Sequence, residues 1–327
     1  MTARRMLTLV LVLAALLVPS ASLGAGGERS NRSSAFFGID GLMYDLSPSV
    51  IPGVGDEEFY GPDFDLACGY GNDLRAGMRN LSKLAQIIER SGRRVVFTVV
   101  PNKSSAELDQ VDPAQLPHGD CDLVGLREQR KLLERYRDPR YVSLPRLLER
   151  DKRKVFWDTD LHWTTVGASV FSKALATKLD RKLGAHQSYR PGPDYTSLGG
   201  LNALLHDPQQ ETVPSAVPAR SVKVSPRVVS QEGAYDHTWR TVAKQGTWPG
   251  HTVVVGDSMM SVALSTLRAA FSHGRFLWLQ HVPTQDIVHA IASADTVVFE
   301  TIQLFVPVVE LGSRQFRAQV KKALRHG

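Results

Sequence analysis

Two cysteines in 327 residues are too few for a disulfide framework or a CxxC…CxxC zinc site. After the first 25 positions no run of about 18 uncharged apolar residues occurs, which excludes a polytopic membrane protein. No heptad register and no short repeat recurs, so coiled coils and solenoids are excluded as well. Acidic residues (33) are outnumbered by basic ones (39), and the net charge of +6 permits an anionic partner without identifying one. What remains is ordinary globular composition, 43% hydrophobic and 22% charged, too apolar for a disordered chain. The length allows one large domain or two smaller ones.

Arg4 and Arg5 precede an apolar run at 6–18, and small residues follow from Ser20 to Ala25. A charged start, an apolar centre and a small-residue zone describe a secretory signal over 1–25, or an N-terminal anchor if it stays uncleaved. Either reading places the rest of the chain outside the cytoplasm, in the periplasm or secreted. In that oxidising setting Cys68 and Cys121 are expected to pair, closing a loop of about 50 residues.

Residues 26–35 are polar and read as a flexible lead-in, and 36–44 (FFGIDGLMY) as a short hairpin. Leu81, Leu84, Ile87 and Ile88 recur at helical spacing before Gly92. The run 95–100 (VVFTVV) reads as a buried strand ending at Pro101, and 102–125 as irregular. From 126 to 154 the chain reads as a basic amphipathic helical region. Ala168, Phe171, Leu175, Leu179 and Leu183 mark one face of a helix of about five turns that ends at Gly184. Residues 187–250 read as loop-rich. Then come a second buried strand at 252–255 (TVVV), a helix, a strand at 276–279, a helix at 287–292, a strand at 296–299 and a basic C-terminal helix. Strand–helix alternation implies one α/β domain over 36–327 with a central, mostly parallel sheet covered on both faces, a three-layer sandwich.

Two motifs are able to carry chemistry. Gly256-Asp257-Ser258 follows a buried strand, where an open α/β sheet binds its ligands and the next helix presents its N-terminus. A serine there has an exposed hydroxyl and an N–H aimed at a developing oxyanion; alternatively Ser258 only caps the helix. The second motif is 160–168 (DLHWTTVGA). If Asp160 and His162 lie in extended chain their side chains share a side, and the carboxylate fixes the tautomer of a general base. The competing readings are a loop histidine beside a Thr164 or Thr165 cap, and a metal site. No third or fourth ligand with defined spacing accompanies the pair, so no metal is expected. Together the motifs supply an orienter, a base and a nucleophile in the chain order Asp160, His162, Ser258.

These blocks resemble the SGNH (GDSL-type) hydrolase-like superfamily in its alginate O-acetyltransferase, AlgX/AlgJ-type, branch. The GDS after a strand is similar to the nucleophile block of SGNH enzymes. DLHWTTVGA is similar to the D-x-H-W-x-x-x-G-A block of that branch, in which Asp and His precede the serine. That order is inverted, or permuted-like, relative to ordinary SGNH enzymes. FFGIDGLMY, VVPNKS at 99–104, GGLNALL at 199–205 and VVFETIQ at 297–303 resemble further blocks of the branch. In GGLNALL the branch's Asp is missing and Asn202 is offset; in VVFETIQ the usual E-x-x-R is Glu300 followed by Gln303. The similarity spans about 36 to 305 and is to the catalytic domain alone.

The resemblance implies an SGNH-like fold and O-acetyl transfer to a hydroxyl of an extracytoplasmic polysaccharide through an acetyl-serine. Ser258 would be the nucleophile, His162 the base and Asp160 its orienter, with Gly200 and Asn202 as candidate oxyanion or substrate donors. It implies no cofactor or metal and no nucleic-acid partner. Its implied partners are a polysaccharide acceptor, anionic if the basic segment 127–154 holds it, and a membrane-bound acyltransferase that supplies acetyl groups. Two other classes stay open: an acetyl-ester hydrolase (carbohydrate esterase) with the same triad, and a non-catalytic glycan-binding or assembly protein.

Overall fold

The computed structural model describes residues 48–69, 74–220, 222–228, 235–242, 245–307 and 309–325. The expected signal segment, the lead-in and the hairpin at 36–44 lie outside the described residues.

Seven strands share one sheet: β1 Arg94–Val100, β2 Tyr141–Val142, β3 Lys223–Val228, β4 Asp236–Val242, β5 Trp248–Gly256, β6 Phe271–Trp278 and β7 Thr296–Ile302. Their order is β2-β1-β7-β5-β6-β4-β3. The first five run parallel, and β4 and β3 join antiparallel at one end. The parallel strands are buried on both faces, which is why they read as unbroken β-branched runs. Their two-residue period sorts the side chains. Val96, Val298, Val254 and Phe276 stand in register on one face, and Phe97, Phe299, Val255 and Leu277 on the other.

Each face needs a cover. Helices α2 Thr165–Leu179 and α3 Ser258–Leu267 pack on the Val254 face. Helices α1 Leu74–Glu89, α4 Thr284–Ser293 and α5 Arg314–Ala323 pack on the Val255 face. In α1 the residues Met78, Leu81, Leu84, Ala85 and Ile88 make the buried stripe that its spacing predicts. The result is the three-layer α/β sandwich with a mostly parallel sheet that the alternation of elements implies.

Three expectations need correction. The five-turn helix is two helices: α2 ends at Leu179, and Asp180, with φ −158°, accepts the Leu183 N–H at 2.8 Å and starts a new helix at Arg181–His186. The region 126–154 is likewise not one helical stretch. A helix at Asp120–Arg135 gives way to β2 and a short helix at Pro145–Arg150. The first of these starts at Asp120, within a stretch that reads as irregular. The span 187–250 is more regular than its composition suggests, holding β3, β4, two small two-stranded sheets and a helix at Gly200–Leu205.

Candidate active site

The chain leaves β1, β7 and β5, neighbours in the sheet, at their C-terminal ends, and the segments that follow meet there. After β5 comes Asp257, 1% exposed. Its carboxylate accepts the Met259 N–H at 2.9 Å and the Ile302 N–H at 2.7 Å. Asp257, not Ser258, is therefore the N-cap of α3. Ser258 is the first residue of the helix, so its N–H has no carbonyl partner within α3. Among the described residues no hydrogen bond engages its hydroxyl.

Behind this turn Glu300 is fully buried, and it accepts the Asp257 N–H at 3.2 Å. Burial and the adjacent Asp257 carboxylate raise the Glu300 carboxyl well above the usual range. A Cβ on Gly256 would lie 2.6 Å from Glu300 Oε2, which requires a glycine at that position.

Asp160 and His162 lie in a tight loop closed by the Trp157 N–H on the His162 carbonyl and the Thr164 N–H on the Val155 carbonyl. The pair does not sit in extended chain. Asp160 instead folds its carboxylate over the turn: Oδ1 accepts both the His162 backbone N–H at 2.8 Å and ring Nδ1 at 2.6 Å. Oδ2 accepts the Gly200 N–H at 2.7 Å. Burial works against ionisation of Asp160, but these donors and the imidazole outweigh it and hold its carboxyl below the ordinary value. Burial likewise works against charging His162, and Asp160 overrides it, raising the imidazole above its usual value. With Nδ1 donating to Asp160, Nε2 is the acceptor; it is buried and makes no hydrogen bond.

The residues flanking His162 both reach the serine segment. Leu161 and Ser258 line one cleft, shared with Tyr60, Asp63, Lys103, Leu304 and Phe305. Trp163 donates its indole N–H to the Met259 carbonyl. No hydrogen bond joins Ser258 to His162 in the structure.

Gly200 and Asn202 do not serve as oxyanion donors in this arrangement. The Gly200 N–H is committed to Asp160, and the Asn202 amide, 2% exposed, donates to the Gln209 carbonyl at 2.9 Å. Their segment instead buttresses the Asp160 loop, and the Leu201 N–H donates to the Thr159 carbonyl. A Cβ on Gly199 would lie 2.1 Å from that same carbonyl. Gln303, where the resemblance has arginine, is fully buried and donates to Ser105 and Gln129.

Further supports carry little or no signal in the sequence. Glu211 accepts the N–H groups of Asp158 and Thr159, each at 3.0 Å, from a segment that reads as loop. Lys103, 1% exposed, donates to the carbonyls of Glu58 and Asp158 and pairs with Glu57 at 2.6 Å. The cues there are its place just after a buried strand and the VVPNKS block that contains it. Cys68 and Cys121 form a disulfide with Cα atoms 5.4 Å apart, joining the helix Pro62–Ala67 region to the Asp120–Arg135 helix.

The sequence profile of the SGNH hydrolase-like domain of acetyltransferase AlgX matches residues 59–263. The chain belongs to that family. The O-acetyltransferase domain of Pseudomonas putida AlgJ superposes with a TM-score of 0.51 at 19% identity, covering 84% of this chain and 99% of that domain. Bacillus cereus PatB1, solved with a sulfonyl adduct, gives 0.52 at 12% identity over 74% of this chain and 92% of its own. Pseudomonas aeruginosa AlgX gives 0.52 at 13% identity over 88% of this chain and 68% of its own. At such identities these likenesses establish the SGNH-like fold. No curated protein sequence matches this one significantly.

Proposed function

We propose that the protein is an O-acetyltransferase that moves an acetyl group through Ser258 to a hydroxyl of an extracytoplasmic polysaccharide. The observation that carries this reading is the Asp160–His162 pair, whose free Nε2 lies in a loop bonded to the start of the serine helix. Membership in the AlgX family supports acetyl as the transferred group. His162 Nε2 takes the Ser258 proton as the hydroxyl attacks an acetyl carbonyl, Asp160 stabilises the imidazolium that forms, and that proton passes to the departing donor group as its bond to the acetyl carbon breaks, leaving His162 neutral. The Ser258 N–H, unpaired at the head of α3, offers one donor to the oxyanion. In the second half, the proton of an acceptor hydroxyl passes to His162, and from there to Ser258 as the acetyl-serine is cleaved.

The charged start and apolar run of residues 1–18 support export across the membrane, and no described helix is long and apolar enough to span one. Outside the cytoplasm an acetyl donor must be delivered, so the reading includes a membrane-bound acyltransferase as supplier. The acceptor is a polysaccharide; many cations of the basic segment 127–154 are paired with carboxylates, so that segment reads as a solvated face rather than as a seat for an anionic glycan. Intact-mass analysis after incubation with p-nitrophenyl acetate tests the first half: one acetyl group should appear on the wild type and none on Ser258→Ala. Product analysis with oligosaccharides tests the second. Acetylated sugar supports transfer, and free acetate alone would make the enzyme an esterase. Absence of any acetyl adduct would leave a glycan-binding protein.

A further inference from the structure

Asp63 is a carboxylate of the cleft that the serine chemistry leaves unused. It sits on the short helix Pro62–Ala67 and is only 3% exposed. One of its oxygens accepts the Ser104 hydroxyl at 2.8 Å. The other makes no hydrogen bond among the described residues. This residue forms part of the wall of the cleft that Ser258 also lines, so its second oxygen is free to meet a ligand there. Much of that wall is apolar, built from Leu161, Ile302, Leu304 and Phe305. The Lys103 ammonium is no competitor for a ligand, because Glu57 and the carbonyls of Glu58 and Asp158 occupy it. What the cleft presents is thus an apolar surface suited to an acetyl methyl group, with an open carboxylate oxygen beside it.

We propose that Asp63 positions the acceptor, its free oxygen accepting a hydrogen bond from a glycan hydroxyl adjacent to the one that attacks the acetyl-serine. This rests on the acetyl-serine reading above. The acceptor oxygen bonds to the acetyl carbon, its proton goes to His162 Nε2, and the Ser258 ester bond breaks as that proton is returned to Oγ. Asp63 gains and loses nothing; it selects which nucleophile stands in line. Burial pushes its carboxyl up to about 7, the Ser104 bond and Lys103 lowering it and Asp65 raising it. Above that value the group is the carboxylate, so the competition below is read at pH 8 or higher. A neighbouring-hydroxyl contact favours a sugar over water, and such selectivity separates transfer from hydrolysis.

The experiment uses ethylene glycol and ethanol as competing acceptors of the acetyl group from p-nitrophenyl acetate, with the full exported chain. Wild type should acetylate the diol in preference to the monoalcohol. Asp63→Asn keeps an acceptor for Ser104; it should still form the acetyl-enzyme but lose about tenfold of that preference, the scale of one hydrogen bond to a charged group. Ser104→Ala, which leaves the free oxygen of Asp63 in place, should retain the preference. A wild type with no diol preference overturns the proposal. So does Asp63→Asn with the wild-type preference, or with acylation and transfer lost in step, as a scaffold role would give. Failure of the wild type to acylate at Ser258 would instead remove the function proposed above.

Discussion

Trp163 donates its indole N–H to the carbonyl of Met259 at 2.9 Å, so the residue after the histidine is bonded to the residue after the serine. The indole is fully buried and stacks on Phe171 at 5.3 Å. Two segments almost 100 residues apart in sequence are thereby held in one alignment. Trp163→Phe keeps the stacking surface and removes the bond. It should cost about 0.5–1.5 kcal/mol in urea unfolding, since one buried hydrogen bond is lost while the Met259 carbonyl keeps its bond within α3. Burst kinetics should show slower acylation of Ser258, and an unchanged acylation rate would rule out an aligning role.

Ser258→Ala should unfold within about 0.5 kcal/mol of the wild type, because no hydrogen bond among the described residues engages the hydroxyl. Its ester turnover should fall by about 10³-fold or more. His162→Ala should be nearly as damaging, and the double variant little worse than either, because the two act as a unit. Additive losses in the double variant would argue against a shared step.

In the proposed mechanism the neutral form of His162 is the active one, and Asp160 raises its pKa above the usual 6.5. Acylation should therefore rise with pH through a midpoint above 6.5. Asp160→Asn should move that midpoint down and lower the plateau by orders of magnitude, through the wrong tautomer. Stability follows the same shifts. The His162 contribution is complete below pH about 6.5 and is lost as pH climbs through the raised folded value. The Asp160 contribution, its folded pKa being lowered, holds above pH 3.8 and is lost as pH falls through the folded value. Chemical denaturation across pH reads both; a flat profile for wild type minus Asp160→Asn would contradict them.

Glu300 binds its proton more tightly folded than unfolded, so its contribution to stability declines as pH rises above 4.5 toward the folded value. Glu300→Gln is a neutral isostere that keeps an acceptor for the Asp257 N–H. Its melting temperature relative to wild type should increase from pH 5 to pH 8, with acylation retained. A difference that does not change with pH would show that Glu300 is ionised in the native protein.

Reduction of Cys68–Cys121, which closes a sequence separation of 53, should lower stability by about 4 kcal/mol on chain-entropy grounds. Neither sulfur lines the cleft, so ester turnover below the new melting temperature should persist. Loss of turnover without unfolding would tie the bridge to the chemistry.

The parallel strands were legible because burial on both faces leaves little room for polar residues, as in VVFTVV and TVVV. The antiparallel end of the sheet was not. β3 reads KVSPRV, largely polar and carrying a proline, and β4 reads DHTWRTV. Tertiary pairing, not local preference, makes them strands. Leu183 falls four residues after Leu179 and so mimics a continuing helix, while the break depends on how Asp180 turns its side chain. In the site, Ser258 stood out because it sits at the junction of a strand and a helix, and Asp160 and His162 because a carboxylate and an imidazole two residues apart directly precede a helix. Glu211 and Glu300 act through contacts with distant loops, which no local spacing encodes. Gly200 and Asn202 were placed near the right loop but given the wrong task. A backbone N–H can satisfy a carboxylate as readily as an oxyanion, and only geometry tells which it does.

Among the described residues the order β2-β1-β7-β5-β6-β4-β3 leaves two open borders. One is β2, which offers only two residues for pairing. The other is β3, where Pro226 has no N–H to donate and Lys223 and Arg227 stand exposed. Short length, proline and cationic side chains are features that keep a border from templating a strand of another molecule. The chain thus carries its own protection against self-association in the very segments whose strand character is hardest to read.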